Sequence, residues 1–139
     1  CAAASARYGE RDGVLRLANE MFEAAVHFAM RLPELFCGFP RIAGEPPIAY
    51  PVACLPQAWA AGSAFMLLQA CLGLSIDGWN EEVSIDRPRL PGGIDRLTVE
   101  NLRVGARRVT LHFHRVDHRV VAFSEAVGTD EPVSVLVHV

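Results

Sequence analysis

The sequence lacks the features that mark several large classes of protein. Its longest apolar stretch, residues 58–74, is interrupted by Gly62, Ser63 and Gln69, whereas a helix that crosses a bilayer needs about 20 predominantly apolar residues. It also has no internal repeat and no low-complexity tract. These absences argue against a membrane-spanning helix and against a repeat architecture, and the apolar stretch is interpreted as a buried helix.

The chain also has little net charge and few cysteines. The formal net charge is −3 with both signs interspersed, so neither a nucleic acid nor an anionic membrane is indicated as a partner. The four cysteines, at positions 1, 37, 54 and 71, have neither CxxC spacing nor the density of a small secreted scaffold. We therefore expect free thiols in a reducing compartment, with the cytoplasm as the default.

What the sequence does contain is enough apolar residues for one core. Its 139 residues are 51% apolar, which fits one globular domain and leaves no room for a second of full size. We expect a helical part over 1–78 and an antiparallel β region over 79–139 that packs on the helices. Because the chain begins with Cys1 and not with Met, the simplest expectation is a piece of a longer parent.

Two helices are predicted in the first half. From Arg11 to about Met30, apolar residues recur at the i, i+3, i+4, i+7 spacing of an amphipathic helix. Pro33 forbids its continuation and places Glu34 at its end. A second helix is predicted to open at Pro56 and to run to about Leu74. It is rich in small and large apolar residues on all sides, so we expect it to be buried all round.

After Trp79 the apolar period changes from 3.6 to 2, which predicts strands. We place them at 83–85, 97–102, 108–114, 119–123 and 133–139. Among them, the strand RVTLHFH puts Val109, Leu111 and Phe113 on one face, as expected for one-sided burial. The strands are predicted to form one small antiparallel sheet.

A long loop joins the two predicted helices. It covers the 24 residues from Leu32 to Leu55 and carries five prolines and two glycines. Because proline fixes φ and restricts the residue before it, we expect a stiff loop ordered without regular hydrogen bonding. Loops of this length inside compact domains are usually functional.

Three short motifs lie in this loop and its flanks: PEL at 33–35, ELFCGF at 34–39 and YPVACLPQAW at 50–59. In this order, and followed by a helix that ends in LLQACLGL, they resemble the C-terminal signature of the amylo-α-1,6-glucosidase family, the glycogen-debranching glucosidases. The resemblance covers Arg7 to about Leu74 well and the rest loosely. It implies an α+β chain made of the C-terminal helices of a six-hairpin α/α toroid followed by a small antiparallel β-sheet.

The resemblance also implies a reaction, the hydrolysis of an α-glucosidic bond with inversion. Such hydrolysis uses one carboxyl to protonate the leaving oxygen and a second to deprotonate a water. The glutamate of PEL is the general base of the family, so the resemblance assigns that role to Glu34. No residue here matches the family's general acid, which the resemblance places upstream in the parent. The alternative is that Glu34 is an ordinary surface glutamate.

Substrate-binding candidates lie around the same loop. Tyr50 and Trp59 offer aromatic faces for a pyranose ring, and the amide of Gln57 suits sugar hydroxyls. Arg41 is a candidate for substrate binding. Arg31 and Arg41, which flank the loop, are both candidates for an ion pair with Glu34 or Glu45. The alternative for Trp59 is a core position on a buried helix.

No cofactor or metal is predicted. His112, His114 and His118 suggest a metal site, but HxH on a strand supplies two ligands on one face without a Cys or carboxylate at metal spacing. The alternative to an enzyme fragment is a non-catalytic structural or carbohydrate-binding module of a larger protein. The expected partners are a carbohydrate, the N-terminal part of the parent and, because the apolar helix lacks neighbours, a second copy of the chain.

Overall fold

The computed structural model of the chain describes residues 2–40, 42, 44–128 and 131–139. Three helices come first in the described residues: α1 (Ala2–Arg7), α2 (Arg11–His27) and α3 (Ala58–Leu72). The strands that follow are β1 (Leu74–Asp77), β2 (Glu82–Asp86), β3 (Arg96–Val104), β4 (Arg107–Val116), β5 (Arg119–Ala126) and β6 (Ser134–His138).

Helix α2 ends before Pro33 has any influence on it. It begins after Glu10, whose side chain accepts a hydrogen bond from the Gly13 N–H at 3.2 Å and so caps the first turn. At the other end, Ala29 and Met30 have φ of 51° and 63°, and the Met30 N–H donates to the Ala25 carbonyl at 2.7 Å. This left-handed turn, and not the proline, stops the helix at His27.

Helix α3 buries one face and exposes the other. Gly73, with φ of 61°, ends it in the left-handed conformation that favours glycine. The inner face buries Ala60, Leu67, Ala70, Cys71 and Leu72. On the outer face Trp59, Phe65 and Met66 are 66%, 76% and 62% exposed. The prediction that this helix is buried all round is therefore wrong.

The strands form two sheets of three strands in the described residues. The mixed sheet has the order β1-β2-β6, with β1 and β2 antiparallel and β2 and β6 parallel. The antiparallel sheet has the order β3-β4-β5 and is a simple meander. The five predicted strands all correspond to observed strands, whereas β1 was not predicted because it follows α3 after a single residue.

The main core lies between the two sheets. Its largest cluster combines buried residues of both sheets with Leu72 at the end of α3. Val109, Leu111 and Phe113 are all buried in it, which confirms the predicted inward face of β4. Two smaller clusters, centred on Val14 and on Leu32, hold the helices against one another.

The predicted toroid architecture is wrong, whereas the α+β class is compatible with the structure. In a ring of helical hairpins each helix is covered by its neighbours, but no toroid arrangement is formed by the three helices of the described residues, and α3 leaves its outer face uncovered. The β region is also not one antiparallel sheet, since it contains a second, mixed sheet. The structure is a small α+β fold whose largest core cluster is made mainly by strands.

Within the described residues, no helix has both the length and the apolar character needed to cross a membrane. The most apolar of them, α3, has 15 residues, fewer than the roughly 20 that a spanning helix needs.

The helices meet the mixed sheet at Gly73 and Asp86. The Asp86 N–H donates to the Gly73 carbonyl at 3.1 Å, and a Cβ at position 73 would overlap the Asp86 carbonyl oxygen. Arg11, whose side chain is 10% exposed, pairs with the Asp86 carboxylate and donates to the Ala70 carbonyl at 3.3 Å. This junction therefore ties α2, α3 and β2 together.

We expect the substitution Gly73→Ala to destabilise the fold by about 3 kcal/mol or more, because strain at positive φ is added to overlap with a backbone carbonyl. The control is Gly93→Ala, since Gly93 also has positive φ, 78°, but a Cβ added there would have no atom within 4 Å. That change should cost about 1 kcal/mol. Urea unfolding of both variants measures the difference, and equal losses would show that the contact with Asp86 is not tight.

We expect Asp86→Asn to destabilise the fold at neutral pH and not at low pH. The hydrogen bond from Arg87, together with the charges of Arg87 and Arg11, holds the pKa of Asp86 below its ordinary value despite partial desolvation. A carboxylate with a lowered folded pKa contributes stability above its unfolded pKa of about 3.9 and loses it as pH falls through the folded pKa. The gap between wild type and variant should therefore close below about pH 4.

The measurement is the free energy of unfolding in urea at pH 7 and at pH 3. Glu100→Gln is the matched control, because Glu100 is exposed on β3 and, in the part of the chain that the structure describes, has no ion pair. A gap for Asp86→Asn that is the same at both pH values would contradict the ion-pair explanation.

Candidate functional site

The loop that carries Glu34 is anchored at its base by the helices. Leu32 is buried and packs with Ala24 and Ala25 of α2 and with Ala60 of α3. The Gln57 N–H donates to the Leu32 carbonyl at 3.1 Å, so the start and the end of the loop lie side by side. The base of the loop is thus fixed to the α2–α3 pair.

Beyond this base, residues 35–37 and 48–50 of the loop pair with each other as two antiparallel arms. The Cys37 N–H donates to the Ile48 carbonyl at 2.7 Å, and the Tyr50 N–H donates to the Leu35 carbonyl at 3.2 Å. Between these bonds, Phe36 and Ala49 form an antiparallel bridge. The loop is therefore ordered by backbone hydrogen bonds as well as by its prolines, and the prediction of a loop without regular hydrogen bonding was wrong for these arms.

Glu34 lies just before the first arm and contacts Cys54, which follows the second arm. Its N–H donates to the Cys54 carbonyl at 2.9 Å, and its Oε2 accepts a hydrogen bond from the Cys54 N–H at 3.4 Å. The side chain is partly buried, and the second carboxylate oxygen has no hydrogen-bond partner among the residues that the structure describes. Cys54 therefore fixes the backbone of Glu34, orients one carboxylate oxygen by a long hydrogen bond and leaves the other oxygen open.

No arginine forms an ion pair with Glu34 within the described residues. Arg31 is exposed and has no ion pair with it there. Arg41, the other predicted partner and a predicted substrate-binding residue, lies outside the described residues. The position of the Glu34 carboxylate is therefore set by backbone N–H and not by a cation from the described part of the chain.

The predicted aromatic platforms are exposed. Tyr50 is 48% exposed on the second arm of the loop, and Trp59 projects from the first turn of α3. Its exposure rules out the alternative that Trp59 is a core residue. Phe39 is a further exposed aromatic on this loop that the sequence reasoning missed. Its position between Gly38 and Pro40, which do not favour helix or strand, was the available signal.

Gln57 has a structural role in addition to the one predicted. Its side-chain Oε1 accepts a hydrogen bond from the Ala58 N–H at 3.0 Å, so the residue caps α3, which begins two residues after Pro56. The amide oxygen is thereby engaged. The amide nitrogen has no hydrogen-bond partner in the described part of the chain, and it can donate to a ligand.

Glu34 lies outside two pockets that the described residues form. One has a volume of about 420 Å³ beside Arg11 and Asp86, and the other has a volume of about 460 Å³ beside Arg87, Arg89 and Arg119. Neither is lined by Glu34, by Tyr50 or by Trp59. The candidate site thus presents a partly buried carboxylate and exposed aromatic rings outside both pockets.

The histidines of the antiparallel sheet pack on their neighbours. The His112 ring stacks on Phe123 with centroids 4.8 Å apart, and the edge of His114 meets the same ring at 5.1 Å. Across the described ranges, no group of three or more His, Cys, Asp or Glu side chains is arranged to hold a metal ion. Of the thiols, Cys71 is buried, and burial raises its pKa, which disfavours the nucleophilic thiolate.

Comparison of the sequence with protein-family profiles, with curated proteins and with solved structures found no match. The motif resemblance therefore stays a prediction, and the function has to be argued from the chemistry of the site.

We expect Trp59→Ala to change the free energy of unfolding by no more than about 0.5 kcal/mol, because an exposed ring adds little to the folded state. Leu67→Ala on the inner face of the same helix is the comparison. Leu67 is buried, so this change should cost about 2 to 5 kcal/mol. Denaturant unfolding of both variants is the measurement. Similar losses in the free energy of unfolding would show that Trp59 contributes to the fold as a core residue does.

Proposed function

We propose that this chain is part of a glycoside hydrolase resembling the amylo-α-1,6-glucosidases, with Glu34 as the general base of inverting hydrolysis. The observation that carries the proposal is the pairing of Glu34 with Cys54, in which the backbone is fixed by a bond of 2.9 Å, one carboxylate oxygen accepts a longer bond of 3.4 Å and the other oxygen is open. A general base needs this arrangement, because the lone pair that takes the proton of water must be both free and held in place.

In the proposed reaction a water molecule attacks the anomeric carbon of the sugar while its proton passes to the open oxygen of Glu34. The glycosidic bond breaks at the same time, and a second carboxyl protonates the leaving oxygen from the opposite face. The two carboxyls of inverting enzymes lie about 6.5 to 9.5 Å apart, which leaves room for the water. We assign the acid to a part of the parent that precedes this sequence.

The substrate contacts follow from the exposed groups near the loop. The rings of Tyr50 and Trp59 would stack on the apolar faces of glucose units, which aromatic side chains do in sugar sites. The free amide nitrogen of Gln57 would donate to a sugar hydroxyl. Arg41 remains a predicted substrate contact on the basis of the resemblance alone.

The partners and compartment of the proposal rest on two further observations. The outer face of α3 exposes Trp59, Phe65 and Met66, and large exposed apolar patches are uncommon on monomers. This supports association with the rest of the parent or with a second copy. Cys37, Cys54 and Cys71 are free thiols, which supports the cytoplasm as the compartment.

A second candidate function is favoured by the position of the site outside these two pockets. Because neither sizeable pocket includes Glu34, the loop and Trp59 would also suit a surface that binds a carbohydrate without turnover. In that case Glu34 would accept hydrogen bonds from sugar hydroxyls and would take no part in chemistry.

We expect Glu34→Gln in the parent protein to lower kcat by about a hundred- to ten-thousand-fold with little change in KM. The glutamine oxygen can still accept the Cys54 N–H, so the side chain keeps its place, while its amide nitrogen cannot take a proton from water. The matched control is Glu45→Gln, an exposed carboxylate of the same loop that should leave kcat unchanged. The measurement is the pH profile of hydrolysis of maltooligosaccharides and branched glucan.

Two outcomes would each contradict one part of the proposal, the role of Glu34 or the placement of the acid. Wild-type kcat for Glu34→Gln over the whole pH profile would remove Glu34 from the chemistry and leave carbohydrate binding as the better candidate. Steady turnover by the isolated 139-residue chain, abolished by Glu34→Gln, would show that the acid lies within this sequence.

A further inference from the structure

A second set of residues, separate from the Glu34 loop, forms a strongly basic pocket. This pocket has a volume of about 460 Å³ and lies between the segment after β2, the β4–β5 turn and the end of the described chain. Its lining includes Arg87, Arg89, His118, Arg119, Val120 and Val139. We call it the arginine pocket.

The charge of the arginine pocket is opposite in sign to that of the chain. The chain carries a net charge of −3, yet the lining that the structure describes contains three arginines and a histidine and no acidic side chain, with the terminal carboxylate of Val139 as its acidic group in the 139-residue chain. Arg87 is partly compensated, because its Nε lies 3.3 Å from the Asp86 carboxylate. Arg89 and Arg119 form no ion pair with any described residue.

The backbone that carries these arginines is well fixed. The Arg87 N–H donates to the His138 carbonyl at 2.7 Å, and the Arg89 N–H donates to the Cys71 carbonyl at 2.9 Å. Arg119 begins β5 and is paired with Val116 across the turn. The backbone of all three arginines, from two parts of the sequence, is thus fixed around one space, into which their exposed side chains can turn toward a ligand.

These properties define the chemistry of a ligand. Two uncompensated guanidinium groups with a third beside them suit a dianion, and the planar fork of arginine matches the oxygens of a phosphate in bidentate geometry. The volume lies within the range of small-molecule pockets, and the buried residues Pro88 and Val120 supply apolar wall. A polyanion is disfavoured because the chain as a whole repels it.

We propose that the arginine pocket binds the phosphate group of a small molecule, either inorganic phosphate or a phosphate monoester. This inference does not depend on the proposed hydrolysis at Glu34. It assigns a binding function to Arg87, Arg89 and Arg119, none of which the sequence analysis named as a candidate site residue.

The experiment is a titration of the full 139-residue chain with inorganic phosphate at constant ionic strength, followed by calorimetry and by amide NMR shifts. We expect saturable binding at one site, with shifts at Arg89, His118 and Arg119. Arg89→Gln and Arg119→Gln should each weaken binding about tenfold or more, because a charge-assisted bidentate contact is lost. Titration with a hexose monophosphate distinguishes the sources: tighter binding than phosphate indicates a monoester, and equal binding indicates phosphate itself.

Arg108→Gln is the matched control. It removes the same charge from an exposed position at the start of β4, the opposite end of the strand from the turn that lines the pocket, and should change affinity less than about twofold. Arg89→Lys, which keeps the charge and loses the fork, should give an intermediate loss and also guards against misfolding of Arg89→Gln. The proposal is overturned by equal weakening in Arg108→Gln, or by no saturation up to roughly 20 mM phosphate, beyond the range of weak specific sites.

Discussion

The close approach of Gly73 to Asp86 determines how the helices sit on the sheets. A Cβ at position 73 would overlap the Asp86 carbonyl oxygen, so the chain can leave α3 at this point only through a glycine. Asp86 ends the central strand of the mixed sheet, and Arg11 at the start of α2 pairs with its side chain. Helices α2 and α3 are thereby both joined to the mixed sheet at Asp86. Leu72, which directly precedes Gly73, packs in the main core.

This junction also separates the two proposed sites. Gln57 closes the Glu34 loop at the start of α3, whereas Arg87 and Arg89 follow Asp86 at the other end, where the Arg89 N–H donates to the Cys71 carbonyl. The 15 residues of α3 correspond to about 22 Å along the helix axis. A ligand in the arginine pocket would therefore not touch the carboxylate of Glu34. A residue substituted in one site would likewise not contact the residues of the other.

The parts of the fold that could be predicted are those that a local pattern encodes. Alternating burial identified β4 and its inward residue Phe113, because a strand with one buried face has period 2. The parallel pairing of β2 with β6 was not predictable, since alternation says nothing about which strands pair. The apolar composition of α3 was equally uninformative, because it does not distinguish a covered face from an exposed one. At the first site a motif identified Glu34, but its hydrogen bond with Cys54 joins residues that are 20 positions apart. At the second site no motif links Arg89 to Arg119.

The exposed face of α3 bears on the role of Trp59. Trp59 and Met66 are seven residues apart, about 10 Å along the helix, and Gly62 between them leaves space for close approach. A helix packed over Phe65 and Met66 is itself about 10 Å wide and therefore extends only about 5 Å from its axis, so it would leave the ring of Trp59 uncovered. Association that buries Phe65 and Met66 would thus be compatible with a ligand-binding role for Trp59.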